Sequence, residues 1–301
     1  MIPFAMIFPG QEKQNITLLK KIYKQNKIIQ ETFAKASEHL KYDLYKTIIK
    51  KNLNHKYQKN NFLQLAVLTI SYSIYKLWKF RIGLNPKIMT GHSLGQYSAL
   101  VCSKVLKFSD AIKMIIYRTK IMQKKKGSMY AIFGSKKSII KKICKKYSKK
   151  SRVSIACINS KTQIVITGSV ENSKKASQEF KKNGAKKIIQ LKNNTISHCP
   201  SMNKLKKKIF FKFKKIVFNS PKNLIIDSTE VKFLKNPIKI KNCLINQLCK
   251  TVKWNDTINF IINNKIKHFL EISLNNTLTQ LHKNKKKYIP LYIKKILNLK
   301  L

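Results

Sequence analysis

The chain has 301 residues, 64 Lys+Arg against 11 Asp+Glu, and a formal net charge of +53. That length suits one large domain or two modest ones, and a hydrophobic fraction of 43% excludes a disordered basic tail. Three of the basic residues are Arg (Arg81, Arg118, Arg152) and 61 are Lys, spread along the whole chain without a zinc-finger, RRM, KH or helix-turn-helix signature. The charge therefore reads as a compositional bias, with non-specific phosphate attraction at low salt as a side effect and no specific nucleic-acid partner.

In chain order, the first predicted element is the apolar run Phe4–Phe8, stopped by Pro9-Gly10, which reads as a buried strand. No basic segment followed by a long apolar stretch precedes it, so no signal peptide is expected. Helical periodicity follows over residues 18–40 and 62–79. Pro86 then starts a short strand over 87–90, ended by Gly91, and 96–105 has helix spacing with one apolar face. The uncharged runs 60–75 and 88–103 are shorter than a membrane span, so no membrane segment is expected. Strand, glycine turn, helix is an α/β arrangement with a loop at the carboxyl end of a strand.

Between Gly127 and Thr195 the rhythm becomes strand 128–134, helix 136–148, strand 153–158, strand 163–167, helix 171–182 and strand 187–191. The order βαββαβ is the ferredoxin-like pattern. It reads as a small subdomain, residues 127–195, inserted into a large one formed by 1–126 and 196–301. From Ile196 the chain alternates helices with short strands at 223–226 and 268–272, and from Lys283 it reads as a Lys-rich, loosely held end. The six Cys contain no CxxC pair and no His at metal-ligand spacing, so no metal is expected and the thiols read as reduced, in a soluble cytoplasmic protein.

The chemistry centres on Gly91-His92-Ser93-Leu94-Gly95, a match to the G-x-S-x-G nucleophile elbow. Its glycines permit a sharp turn that exposes a serine hydroxyl, and the amide of the next residue, Leu94, then points at an acyl oxygen. Among the six His, His39, His55 and His282 read as solvated, His268 as structural and His92 as support for the turn. His198, in a segment ended by Pro200, is the best candidate base. Between Ser93 and His198 the acids are Asp110, Glu171 and Glu179. Asp110 reads as a helix cap and the two Glu as solvated, so an acid to complete a triad is poorly supplied.

Phe8-Pro-Gly-Gln11, Gly91-His-Ser-Leu-Gly-Gln-Tyr-Ser-Ala-Leu100, Tyr117-Arg-Thr-Lys-Ile-Met-Gln123 and Ser197-His-Cys199 together resemble the malonyl-CoA:acyl carrier protein transacylase family. So do Asn159-Ser160 with Gln163-Ile-Val-Ile-Thr-Gly168, and Asn246-Gln-Leu248 with Val252-Lys-Trp254, all in the family's order. The resemblance implies an α/β fold, with an α/β-hydrolase-like large subdomain carrying the inserted ferredoxin-like small one. It implies Ser93 as acylated nucleophile, His198 as its base, Gln11 and Leu94 as oxyanion-hole amides, and Arg118 as the residue that binds the malonyl carboxylate. The main-chain carbonyl of Gln247 would orient the histidine in place of an acid. Malonyl-CoA would be a substrate, acyl carrier protein the partner, and a cofactor unnecessary; the expectation is a monomer. A serine esterase, an acyltransferase of other acyl specificity and a nucleic-acid binder on a decayed enzyme fold are the competing readings.

Three departures from the family pattern stand out. Glu12 and Lys13 replace a Gly-Ser pair beside the oxyanion hole, which restricts the loop and adds a negative charge. Gln96 replaces the acid that follows the elbow glycine. Ser273-Leu-Asn-Asn276 replaces a late Gly-Pro-Gly turn, and Asn tolerates left-handed backbone better than most residues. None removes a reacting group.

Overall fold

A computed structural model describes residues 2–12, 14–50, 59–148, 153–191 and 195–296 of the chain. His55 and Arg152 lie outside them. Two sheets organise the molecule. The larger has six strands in the order β10-β9-β1-β2-β7-β8: β1 is Phe4–Phe8, β2 Ile88–Gly91, β7 Leu224–Asp227, β8 Lys232–Leu234, β9 His268–Glu271 and β10 Ile289–Leu291. Five strands run parallel, and β8 pairs antiparallel with β7 at one edge.

All five residues of β1 are buried, as expected of a central parallel strand covered on both faces. The period of two still decides which core each residue enters. Phe4, Met6 and Phe8 join the larger hydrophobic cluster, and Ala5 and Ile7 join a second one on the opposite face. The first cluster packs beneath α1 (Ile16–Gln25), α2 (Lys27–Leu40), α4 (Lys59–Arg81) and α6 (Phe108–Met122). The second includes Trp254, Ile258 and Ile261 of α11 (Trp254–Asn263). Burying each such side chain contributes about 1.5–3 kcal/mol.

The smaller sheet is antiparallel, order β4-β5-β3-β6, from β3 (Ser128–Phe133), β4 (Ser154–Ile158), β5 (Gln163–Gly168) and β6 (Lys187–Gln190). With α7 (Lys137–Lys146) and α8 (Val170–Lys182) it completes the βαββαβ order, and its topology is ferredoxin-like. One face carries Tyr130, Ile132, Ile164 and Ile166 against Ile140, Ile143 and Phe180 of its own helices. The other turns Met129, Ala131, Cys157 and Val165 toward the large sheet. Ile158 N donates to Val252 O at 2.8 Å and Val252 N to Ala156 O at 2.9 Å, so main-chain bonds tie the edge strand β4 to the segment that leads into α11.

Three details differ from the sequence reading. The helix expected over 18–40 is two helices broken at Asn26, whose backbone is extended and whose side chain donates to Ile22 O at 2.8 Å. The chain after Lys283 is not loose throughout, because β10 pairs with β9 and α13 (Ile293–Ile296) follows. His282, at the end of α12 (Thr277–His282), is 3% exposed and not solvated, because Leu278 and Tyr288 bring the segment into the core. Among the described residues no helix is long and apolar enough to cross a membrane.

Candidate active site

The elbow joins β2 to α5 (Gly95–Cys102). Two glycines allow it by what they lack. A Cβ on Gly91 would lie 1.9 Å from Gly95 C, and one on Gly95 would lie 2.1 Å from Phe8 O. Ser93 is held at φ +51°, left-handed backbone that costs a non-glycine residue about 1–3 kcal/mol. Gln96, at the position of the departure noted above, closes the turn: its side chain accepts from Gly91 N at 3.0 Å and donates to Ile226 O at 3.2 Å. An amide thus makes both bonds and needs no charge.

Ser93 Oγ and His198 Nε2 are 2.7 Å apart. His198 also sits at positive φ, +59°, its amide donating to Leu248 O at 2.8 Å. Its Nδ1 lies 2.9 Å from Gln247 O, an acceptor only, so Nδ1 carries the proton and Nε2 is free to accept from the serine. Gln247 Nε2 donates to Ser93 O at 3.1 Å, so one residue touches both partners. Burial first, and the Arg118 charge second, push His198 down to about 3, which keeps the imidazole neutral at neutral pH.

Among the described residues no acid completes this pair. Asp110 lies in the first turn of α6, whose N-cap is Lys107, and faces Lys113 at 3.9 Å. Glu171 pairs with Lys175 at 2.6 Å, and Glu179 accepts from Lys146 and Tyr147 at 2.9 and 2.7 Å.

Arg118, from α6, is 4% exposed. One guanidinium nitrogen donates to Gln64 Oε1 at 3.0 Å, and the group lies 6.0 Å from the Tyr97 ring centroid. Among the described residues no carboxylate is within ion-pair range of it. A guanidinium stays charged even where burial lowers its pKa, as here. The fork is therefore a buried positive charge on the cavity wall, which an anionic group would complement.

Gln11, Ser93, Leu94, Arg118 and His198 line one cavity of about 320 Å³, and the Gln247 carbonyl stands behind the histidine. Among the described residues no protein acceptor takes the amide of Gln11 or of Leu94. All six residues singled out from the sequence are thus in one place. Two others were given no role from the sequence: Gln64 was not singled out at all, and Asn159 was named only within a motif. Gln64 donates to Gln11 Oε1 at 3.3 Å while holding Arg118; a lone amide among Phe62, Leu65, Ala66 and Leu68 was the available signal. Asn159 Oδ1 lies 2.9 Å from His92 Nε2, which ties the small sheet to the elbow. Among the described residues no group of three or more His, Cys, Asp or Glu is placed to hold a metal.

Comparison with known proteins gives a consistent picture. The acyl transferase domain family matches residues 5–291. A malonyl CoA-acyl carrier protein transacylase of Buchnera aphidicola subsp. Baizongia pistaciae is 41% identical over 289 residues, 94% of this chain and 92% of that one. The solved transacylase of the same name from Coxiella burnetii superposes with a TM-score of 0.93 at 33% identity, covering 99% of this chain and 95% of that one. One chain of a solved complex of a type II PKS acyl-carrier protein with its malonyl-transacylase is similar at a TM-score of 0.90 and 33% identity, over 96% of this chain and 94% of that one.

Proposed function

The chain belongs to the acyl transferase domain family, and from that premise we propose that it moves a malonyl group from malonyl-CoA to the phosphopantetheine thiol of an acyl carrier protein, feeding fatty acid synthesis. The observation that carries this reading is a serine–histidine pair at 2.7 Å sharing its cavity with a buried guanidinium that pairs with no carboxylate among the described residues.

The reaction is ping-pong. The malonyl carboxylate enters against the Arg118 fork, whose planar geometry matches it as an ammonium would not. His198 Nε2 takes the Ser93 Oγ proton as Oγ attacks the thioester carbonyl. The oxyanion so formed accepts from the Gln11 and Leu94 amides, each worth about 3–4 kcal/mol in the transition state. Collapse breaks the C–S bond, the His198 proton passes to the CoA sulfur, and malonyl-Ser93 remains. The carrier thiol repeats the sequence in reverse, and Ser93 recovers its proton from His198. The Gln247 carbonyl stabilises the imidazolium through Nδ1–H, in the place of an acid. Apolar walls from Met129, Ala131, Leu278 and Leu281 keep water from the acyl-serine while it waits for a thiol.

On this reading residues 1–126 and 196–301 form the catalytic subdomain, and 127–195 supply the facing wall. The protein works as a cytoplasmic monomer, with no cofactor besides its two substrates. Intact-protein mass spectrometry after incubation with malonyl-CoA tests it. A malonyl adduct that forms on the wild type, is absent from Ser93→Ala and disappears on adding pantetheinylated carrier protein is expected. An adduct lost to water at the same rate without the carrier would make the protein a hydrolase instead.

A further inference from the structure

Glu12 follows directly on Gln11, and its carboxylate is engaged at both oxygens. Ser273 Oγ donates to Oε1 at 2.7 Å, and Thr277 Oγ1 donates to Oε2. Ser273 is 1% exposed and is itself fixed by the Asn275 amide, which donates to its Oγ at 3.0 Å. The Glu12 carbonyl accepts from Gln14 Nε2 at 3.3 Å, so the main chain is held as well. At the far end, Thr277 opens α12, and Thr277, Leu278 and Leu281 line the same cavity as Ser93. That helix is anchored from beneath, where the Glu271 carboxylate accepts the Leu278 and Thr279 amides at 3.1 and 2.8 Å.

One carboxylate therefore ties the loop after β1 to the loop after β9, although the partners are 261 residues apart in sequence. Both ends of the tie are places where the chain departs from its family pattern: Glu12 stands where a glycine is usual, and Ser273 opens the segment that replaces the late Gly-Pro-Gly turn. Hydrogen bonds to an ionised acceptor are roughly twice as strong as neutral ones, so two of them can immobilise a short loop.

We propose that Glu12 is a positioning residue: by bridging Ser273 and Thr277 it fixes the loop that presents the Gln11 amide to the acyl oxygen. The proposal rests on the reading of Ser93 as the acylated serine. Two measurements on the same variants test it: steady-state malonyl transfer, and the second-order rate at which a fluorophosphonate probe modifies Ser93. The probe needs the nucleophile, its base and the oxyanion amides, but no malonyl group.

Glu12→Ala should lower kcat and the probe rate together by about 10- to 100-fold, as expected when an oxyanion donor is displaced rather than removed. The KM for malonyl-CoA should not change. Glu12→Gln, whose amide oxygen still accepts one hydroxyl, should recover most of the loss. Ser273→Ala/Thr277→Ala should match Glu12→Ala, and the triple variant should be no worse, because residues of one linkage are not additive. Should Glu12→Ala fail to melt cooperatively, Thr277→Ala alone, at the exposed end of the bridge, should show a smaller loss in the same direction. An unchanged kcat and probe rate, a rise in KM alone, or additive losses in the triple variant would overturn the proposal. The probe rate decides it even if the wild type takes up no malonyl, a result that would count against the function instead.

Discussion

At Ser93 and His198 the chain places two reacting residues in left-handed backbone, and the surroundings dictate their protonation as well as their positions. The sign of the pH effect follows from burial. Only neutral His198 can accept the serine proton, and its pKa in the free protein is pushed from 6.5 down to about 3. Protonation therefore sets in far below the ordinary histidine range, and kcat/KM for malonyl-CoA should stay flat from pH 8 to pH 5. A half-maximal loss near pH 6.5 would contradict a buried, neutral base. His198→Ala should cost about 10²–10⁴-fold in the rate of acylation. Asp110→Asn, Glu171→Gln and Glu179→Gln should cost little, since each acid faces a lysine rather than the imidazole; a large loss at any of them in the same assay would restore an acid to the mechanism. Ser93 was legible from its glycines. From spacing alone His198 was only the best of six, and its role and that of Gln247 came from the family resemblance, since nothing local in its segment announces that the Gln247 carbonyl will meet Nδ1 from 49 residues away.

At the strand–turn–helix junction the elbow works only if α5 can start against β1. A methyl at Gly95 would meet Phe8 O at 2.1 Å and Pro9 O at 2.6 Å, both backbone atoms with no rotamer to yield. Gly95→Ala should destabilise the fold by about 1–3 kcal/mol and, by pushing the loop that carries Gln11, reduce acylation by about 10²-fold. Thermal melts and the malonyl-adduct rate check both; an unchanged rate would show that the loop absorbs the methyl without moving Gln11. The βαββαβ insert was readable because its strands and helices alternate in clean short periods. The break at Asn26 was not, because residues on both sides continue the helical pattern and only the asparagine side chain, bonding back to Ile22 O, ends the first helix. The late strand β10 was hidden for a similar reason. Its three residues follow a lysine run, and pairing to β9, not local pattern, makes them a strand.

Over the whole molecule the charge of +53 has a consequence for rate rather than fold. CoA phosphates and an acidic carrier protein should be steered to such a surface. The kcat/KM for the carrier should fall as salt rises, the Debye length shrinking from about 10 Å at 0.1 M to about 3 Å at 1 M. A flat salt profile would reduce the lysines to composition alone. Acid stability depends on buried groups. His198 at about 3 and His282 at about 4 are neutral when folded but take up protons below about 6.5 when unfolded. The unfolded state then binds more protons, so each contributes a loss of roughly 1.4 kcal/mol per pH unit as pH falls below 6.5. Glu271, raised by burial to about 7, acts in the opposite sense between its unfolded value and 7, offsetting one of them. The melting temperature should therefore fall from pH 6.5 toward pH 5, and a rise would show that the imidazoles are not buried neutral.

All of these scales converge on what the cavity selects, and Arg118 is where that selection can be read. A malonyl carboxylate leaving water without a partner would cost on the order of 3–5 kcal/mol, equivalent to roughly 10²–10⁴-fold in rate. An acetyl group carries no such charge. The measurement is the rate of Ser93 acylation by malonyl-CoA and by acetyl-CoA, in wild type and Arg118→Ala side by side. Malonyl acylation should fall by about that factor while acetyl acylation holds or rises, and Arg118→Lys should restore only part, having the charge without the fork. Equal losses on both substrates would show that Arg118 supports the structure and that the cavity does not read a malonyl carboxylate.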